Sequence, residues 1–507
     1  MGDTMLLTII RKELLSYIVT FRFVTGFVLC AFLVPVSAHV LTRDYAERLD
    51  VYSLSSQAHR SELDSVQVYS ELKVTIDRKP TVLSILCAGL EKQVGNTVTI
   101  HHGEVPAIAR RHGRSNPLLA AFPEMDIATI AMVVFSLLAV LFAYDTIVGE
   151  REDGTLGQVL SNPIPRGHLL LGKYIGGILP LSILVVFSLL IGLLVMSLSP
   201  SVRIESSDWP RVLLMVCVIL IYSSAFYTLG ILLSVLCGRS ATALMLLLFL
   251  WVLLVIVIPA SASYIASRIH VAPLEGDTKL QSDRVWDQFE EEAEKIRRKY
   301  PGRGWTFGSR FDEHVVKVYD GDREGMLDLL EQRKRLEPLR IRYADRAWQV
   351  YQSYYDQLYE QSMLARNLSR ISPAAAFYNV AAALAGTDVN AHLAFLKRAR
   401  QYRDELITYM KSKQAFSSLL YFTRKTEGEL RTQEELKEAM VRGEDIEGKG
   451  WDAVAPLELG DLPRFDQHPA AVSASVEPVL VDLALLVALN VIFFILAYML
   501  FLRGHVK

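Results

Sequence analysis

Cysteine is scarce in this chain, with four in 507 residues, at Cys30, Cys87, Cys217 and Cys237. Three lie in or beside apolar runs and Cys87 stands alone in the polar segments, so no intrachain disulfide is expected there. No CxxC or Cys/His spacing suggests a structural metal. Net charge is nearly absent as well, at −2, which leaves no bulk electrostatic case for nucleic acid. HExxH, GxSxG and kinase-type signatures are all missing. Residues 167–173, GHLLLGK, do carry the G-x4-G-K frame of a phosphate-binding loop. Tyr174 nevertheless stands where Ser or Thr must ligate magnesium, no strand precedes the frame, and its interior is apolar. The chain therefore reads as a non-enzyme.

What it has in abundance is hydrophobic sequence, 51% of all residues, unevenly placed. A helix needs about 20 apolar residues to cross the hydrocarbon of a bilayer. Six runs reach that length, at 23–41 (broken by Pro35), 126–148, 169–198, 211–236, 241–267 and 477–503. Residues 1–22 precede them as an amphipathic helix suited to the membrane interface, with Leu6, Ile10, Leu14 and Tyr17 on one face and Arg11, Lys12 and Ser16 on the other. Val36-Ser37-Ala38 also fits a signal-peptide cleavage site, but the long amphipathic segment before it argues for retention. Between spans, 42–125 is a polar α+β segment and 268–476 is charged throughout, with helices expected over 285–298 and 392–410. Residues 325–371 fit a long helix or a helical hairpin interrupted by Pro338. The fold class is an all-α polytopic membrane protein with a mostly helical aqueous domain of minor β content.

Lysine and arginine in the short connections set the orientation. Arg11, Lys12, Arg22, Arg151, Arg166, Lys173, Arg239, Arg503 and Lys507 all fall on one side. That side is expected to be the cytoplasm, with both termini there and both long polar segments outside. His101, His102, Glu104 and His112 cluster in sequence but lack a zinc spacing, and read as solvated loop residues. Within the spans ionisable groups are nearly absent, which argues against proton or ion coupling. Asp482 is close enough to a span end to reach the interface. Tyr222, Ser223, Ser224, Tyr227 and Thr228 form a neutral polar patch that suits either interhelical hydrogen bonding or a transport path. Gly172, Gly176 and Gly177 would let another helix approach closely.

The charged segment 149–168 lies between two spans, and its order is Gly149-Glu150-Arg151-Glu152-Asp153-Gly154-Thr155-Leu156, then Leu160-Ser161-Asn162-Pro163, then Arg166-x5-Gly172-Lys173. This resembles the cytoplasmic coupling loop of ABC-2-type ABC transporter permeases, GERE-x-GTL, L-S/T-x-P and R-x5-GK. Arg11-Lys12-Glu13-Leu14 resembles the "RKEL" elbow helix of the same family. A subgroup often labelled multi-copper-enzyme maturation permeases, with a large insertion before the last span, is similar at residues 79–84, 372–373 and 384–388, and at His392 and Phe395. The copper label is not inherited, because no Cys, Met or His cluster here suits copper.

The resemblance implies a permease subunit of the bacterial inner membrane, paired with a second copy or a related permease and seated on separate cytoplasmic ATPases. ATP and magnesium are expected on those partners, and no cofactor on this chain. Arg11, Lys12, Glu13, Gly149, Glu150, Arg151, Glu152, Gly154, Thr155, Pro163 and Arg166 would then couple the ATPases to the spans. Two readings stand beside export or extraction of a substrate. One is an ATP-driven mechanotransmitter acting through 268–476, with an extracytoplasmic protein as a partner; the other is a non-transporting anchor or receptor.

Overall fold

The computed structural model of the chain describes residues 2–106, 109, 125–161, 165–302, 304–312, 315–444, 449–466 and 471–503. Helix accounts for 74% of it and strand for 4%. Among the described residues six helices are long and apolar enough to cross a membrane.

Helix α1 (Gly2–Ile18) leads through a short turn into α2 (Phe21–Asp64), whose start is fixed by Thr20 accepting the Phe23 amide in its side-chain oxygen. The expected break at Pro35 is corrected, and the helix continues past residue 41, where the apolar run ends: α2 runs unbroken for 44 residues. The reason is a buried stripe, Gly26, Cys30, Val34, Ala38, Thr42 and Tyr45, which crosses the boundary where average hydropathy falls. Packing along that stripe holds the helix through the hydrogen bond that proline cannot make. At about 1.5 Å per residue, the part beyond residue 41 projects about 35 Å past the apolar run.

The other spans are α3 (Ile127–Glu152), α5 (Arg166–Ser197), α6 (Trp209–Leu236), α7 (Ser240–Ile269) and α13 (Val472–Arg503), with the short α4 (Thr155–Leu160) between α3 and α5. Asp126 caps α3, accepting the Thr129 amide at 2.6 Å. Inside the bundle α5 packs on α1 and α2, while α6 packs on α3 and α13. Both α3 and α7 contain one widened turn, at Ala131–Phe135 and Leu253–Val257. Such turns free a carbonyl from the helix ladder, which is expensive in hydrocarbon. Tyr222 donates to the Met132 carbonyl at 2.7 Å and Ser372 donates to that of Leu254, so both are satisfied.

Beyond α2 lies a two-stranded antiparallel sheet, β1 (Val74–Asp77) against β2 (Thr97–Ile100), in the register Val74↔Ile100 to Asp77↔Thr97. After α7 the large insertion builds α8 (Glu275–Lys299) against α9 (Arg323–Ser369). Helix α9 passes straight through Pro338, so of the two forms considered for this segment the chain adopts the long helix. Then α10 (Pro373–Ala385), α11 (Val389–Ser412) and α12 (Gln433–Val441) follow. Ser372 caps α10 by accepting the Ala374 and Ala375 amides, and Gly386 ends it at φ 70°. This alanine-rich helix is buried in the same core as the spans, with Phe377 stacked on Tyr222 at 4.6 Å between ring centres. Small side chains permit that close approach. The insertion is thereby rooted in the bundle.

Of the loop group read as solvated, Glu104 is exposed but His101 and His102 are not. His102 is fully buried and its Nε2 donates to Glu337 Oε2 at 3.0 Å; His101 is buried beside it, while His112 lies outside the described residues. Glu337 is carried by α9, more than 230 positions away in sequence, so nothing local announces the pairing.

Candidate coupling site

At the end of the bundle where α1 lies, three elements meet at Lys173. Its Nζ sits 2.9 Å from Glu150 Oε1 and 3.2 Å from Glu13 Oε1, and its side chain is only 2% exposed. Lys12 reaches the same Glu150 oxygen at 3.5 Å from the outside. One buried cation thus joins α1 (Glu13), the end of α3 (Glu150) and α5 (Lys173). Burial pulls the Lys12 ammonium down, but attraction to Glu13 and Glu150 outweighs it and the net shift is upward.

The helices come this close because glycine lets them. A Cβ at Gly172 would stand 2.6 Å from Ile9 Cγ2, and one at Gly176 2.5 Å from Glu13 Cβ; one at Gly177 would overlap the Tyr227 hydroxyl. Tyr17 of α1 completes the seat, donating to the Phe142 carbonyl at 3.0 Å with Thr146 equally near. Burial pushes its phenol up to about 12.

The charged segment is held from several directions. Ser234 of α6 accepts the amides of Ile147 and Val148, both at 3.0 Å, and so caps the helical turn that carries Gly149 to Glu152. Arg151 donates to the Cys237 carbonyl at 3.1 Å, and Glu152 accepts from Ser240, which ties the turn to the α6–α7 connection. Gly154 adopts φ 71°, a left-handed conformation that glycine supplies without strain, and reverses the chain into α4. Thr155 donates to the Glu150 carbonyl at 3.3 Å. Arg166 reaches the Leu502 carbonyl of α13 at 3.0 Å. Pro163 lies outside the described residues.

Two classes of residue separate here. Glu13 and Glu150 turn inward to Lys173, while Arg11, Asp153, Gly154, Thr155 and Gln158 are exposed.

The neutral patch on α6 is internally engaged. Besides Tyr222, Ser223 and Thr228 donate back to the carbonyls of Ile219 and Ala225, Ser224 and Tyr174 share a hydrogen bond of 2.7 Å, and Tyr227 lies 3.4 Å from the Lys173 carbonyl. Among the described residues no group of three His, Cys, Asp or Glu side chains could hold a metal ion.

Sequence reasoning missed a second ionic joint. Asp482, in the first third of α13, is wholly buried within the protein and accepts from Arg366 at 2.6 Å, from Arg370 at 3.1 Å and from Asn379 at 3.2 Å. Its signal was an acid inside an apolar run, which demands a partner. That partner is α9, the longest helix of the insertion.

Comparison with known proteins gives a match over residues 7–506 to the family model for ABC-2 family transporter proteins. The chain is 47% identical over 64 residues to the "Probable ABC transporter permease protein NosY" of Stutzerimonas stutzeri, which is 12% of this chain and 23% of that one. It is 49% identical over 51 residues to the protein of the same name from Pseudomonas aeruginosa, which is 10% of this chain and 18% of that one. The matched stretches thus span less than a quarter of either relative. The family model covers nearly the whole length, and the chain belongs to the ABC-2 family of transporter proteins.

Proposed function

We propose that this chain is the membrane subunit of an ATP-driven transporter of the bacterial inner membrane that exports or extracts a substrate. ATP hydrolysis takes place in separate cytoplasmic subunits seated at the Lys173 end. The observation that carries this reading is the shared ion cluster: Glu13, Glu150 and Lys173 lock the elbow helix, the loop and α5 into one body. A push on the exposed tip, Asp153 to Gln158, is then delivered to several spans at once instead of being absorbed by a loose loop. In this orientation both termini are cytoplasmic and the large insertion is extracytoplasmic. Helices α2, α7 and α13 leave most of their apolar windows uncovered, at 28%, 22% and 17% buried, which suits lipid and a second permease copy.

The test reconstitutes the chain with its ATPase partner. Asp153→Arg with Gln158→Arg is expected to lose the ATPase in a pull-down. Glu150→Ala is expected to retain it while losing stimulation of hydrolysis. A wild-type chain that recovers no ATPase would sink the reading, and unchanged stimulation by Glu150→Ala would remove the ion cluster from coupling.

A second reading, relay of motion to the insertion, is favoured by the Asp482 joint and by the burial of α10 among the spans. Transport that survives disconnection of the insertion would count against it.

A further inference from the structure

On the insertion side an open cleft of about 1250 Å³ runs between the two parts of the molecule. It is lined by the early parts of α6 and α13, through Arg211 and Pro478, and by the projecting part of α2, through Tyr52, Ser56, His59, Arg60 and Leu63. Small-molecule pockets usually hold roughly 300–1,000 Å³, so this one suits a larger or longer guest. Its floor is apolar: Val74, Ile76, Val82, Phe395, Leu462 and Phe465. Phe465 is locked edge-on against Tyr402, with ring centres 5.7 Å apart.

The charges around that floor are unequal in their engagements. Asp77 is paired with His59 at 2.7 Å, Asp388 caps α11 through the Ala391 amide, and Asp208 accepts the Glu205 amide. Asp466 is also engaged, which leaves Glu205 as the free carboxylate among the described lining residues. By contrast Arg60, Lys79 and Arg464 line the cleft, are exposed, and have no ion pair or hydrogen bond among the described residues. Cations kept free beside an apolar floor match a guest with an anionic group and a hydrocarbon body. Continuity with the span ends puts that guest within reach of the outer leaflet.

We infer that this cleft binds an anionic amphiphile, with Arg60, Lys79 and Arg464 receiving its phosphate or carboxylate and the Phe395–Phe465 floor its chain. This names a class of cargo for the permease reading but needs no ATPase to be filled, so the two stand or fall separately.

The test uses the full chain in phosphatidylcholine nanodiscs, with Cys217→Ser and an Ala394→Cys reporter in the cleft, labelled by a charged maleimide. Dodecyl phosphate is expected to slow labelling about tenfold at about ten times its dissociation constant. Inorganic phosphate and dodecyl maltoside should leave the rate unchanged, and Arg60→Gln/Lys79→Gln/Arg464→Gln should abolish the protection. All three replaced side chains are exposed and unpaired, so the variant is expected to fold. Nanodiscs containing phosphatidylglycerol, with nothing added, separate the sources: protection there assigns the membrane lipid, and protection by dodecyl phosphate alone assigns a soluble amphiphile. Equal protection by inorganic phosphate overturns the chain-binding floor, and equal protection by dodecyl maltoside overturns the role of charge. Stronger protection by an alternating Glu–Val octapeptide would replace the amphiphile by a peptide added along β1. No protection by any probe refutes the inference.

Discussion

The ammonium of Lys173 lies 2.9 Å from a carboxylate oxygen of Glu150, inside the bundle and out of contact with bulk water. Glu13 flanks the same ammonium at 3.2 Å. Removing only the cation leaves two carboxylates in a poorly solvated place. Lys173→Met is therefore expected to cost about 2–4 kcal/mol, near the lower range for breaking a buried pair because Glu150 keeps some exposure. Adding Glu13→Gln and Glu150→Gln should recover part of the loss, since neutral groups are cheaper to bury. Denaturant midpoints of the single and triple variants in detergent check this. A triple variant weaker than the single one would show that the carboxylates do not depend on Lys173.

Asp482 makes the same argument at the opposite end. Its two arginines, Arg366 and Arg370, are 14% and 19% exposed at the side chain, so Asp482→Asn strands two partly buried cations. Stability is expected to fall by about 2–4 kcal/mol. Hydrogen exchange should quicken specifically over residues 360–385, where α9 and α10 are anchored to α13. Unchanged exchange there would mean that the joint does not hold the insertion to the spans.

The apolar runs placed the six crossings, because hydrocarbon length is a local property of sequence. Helix α10 was not expected, because Ser372-Pro373 and Gly386 were read only as points of family resemblance, although they carry its local start and stop signals. That α10 sits among the spans was not legible either, because an alanine-rich helix carries no mark of which neighbours bury it. The extension of α2 escaped because hydropathy averages a window, whereas Ala38, Thr42 and Tyr45 continue a stripe. In the candidate site, the charged turn and the elbow were legible as motifs. Their meeting at Lys173 was not, because Glu13 and Lys173 are 160 positions apart. His102 was misread for the same reason: burial is conferred by α9, not by its own loop.

Two glycines should respond with opposite signs to alanine. At Gly157, in α4, an added Cβ meets nothing within 4 Å. Gly157→Ala is therefore expected to stabilise by up to about 1 kcal/mol through helix propensity. At Gly176 the added Cβ would stand 2.5 Å from Glu13 Cβ and 3.3 Å from the Ile10 carbonyl oxygen. Overpacking of about 1–3 kcal/mol should outweigh the same propensity gain. Gly176→Ala should then be the less stable protein, and α1 should become more accessible to protease. A stabilising Gly176→Ala would contradict the close seating of the elbow helix.

Acid should loosen the insertion before it disturbs the spans. Burial is the main reason that the His102 imidazole is held below its usual range, with the charges of Arg340 and Arg403 adding to it against the attraction of Glu337. Burial and then the charge of Arg78 hold His392 at about 4. Both therefore stay neutral in the folded protein, while their unfolded counterparts protonate below about pH 6.5. Stability is accordingly lost as pH falls from about 6.5 towards 4. Burial alone would raise Glu337, but the bond from His102 and the charges of Arg340 and Arg333 outweigh it and hold the carboxyl below its usual range. Its contribution is complete above about pH 4.5 and fades below that, so it adds to the loss only in stronger acid. Between pH 7.5 and 5 the melting temperature of the insertion is expected to drop by about 5 °C or more, read from near-ultraviolet circular dichroism. His392→Gln should flatten part of that slope, because glutamine cannot take the proton that favours the unfolded chain. A melting temperature that does not change over this range would show that neither imidazole is kept neutral by the fold.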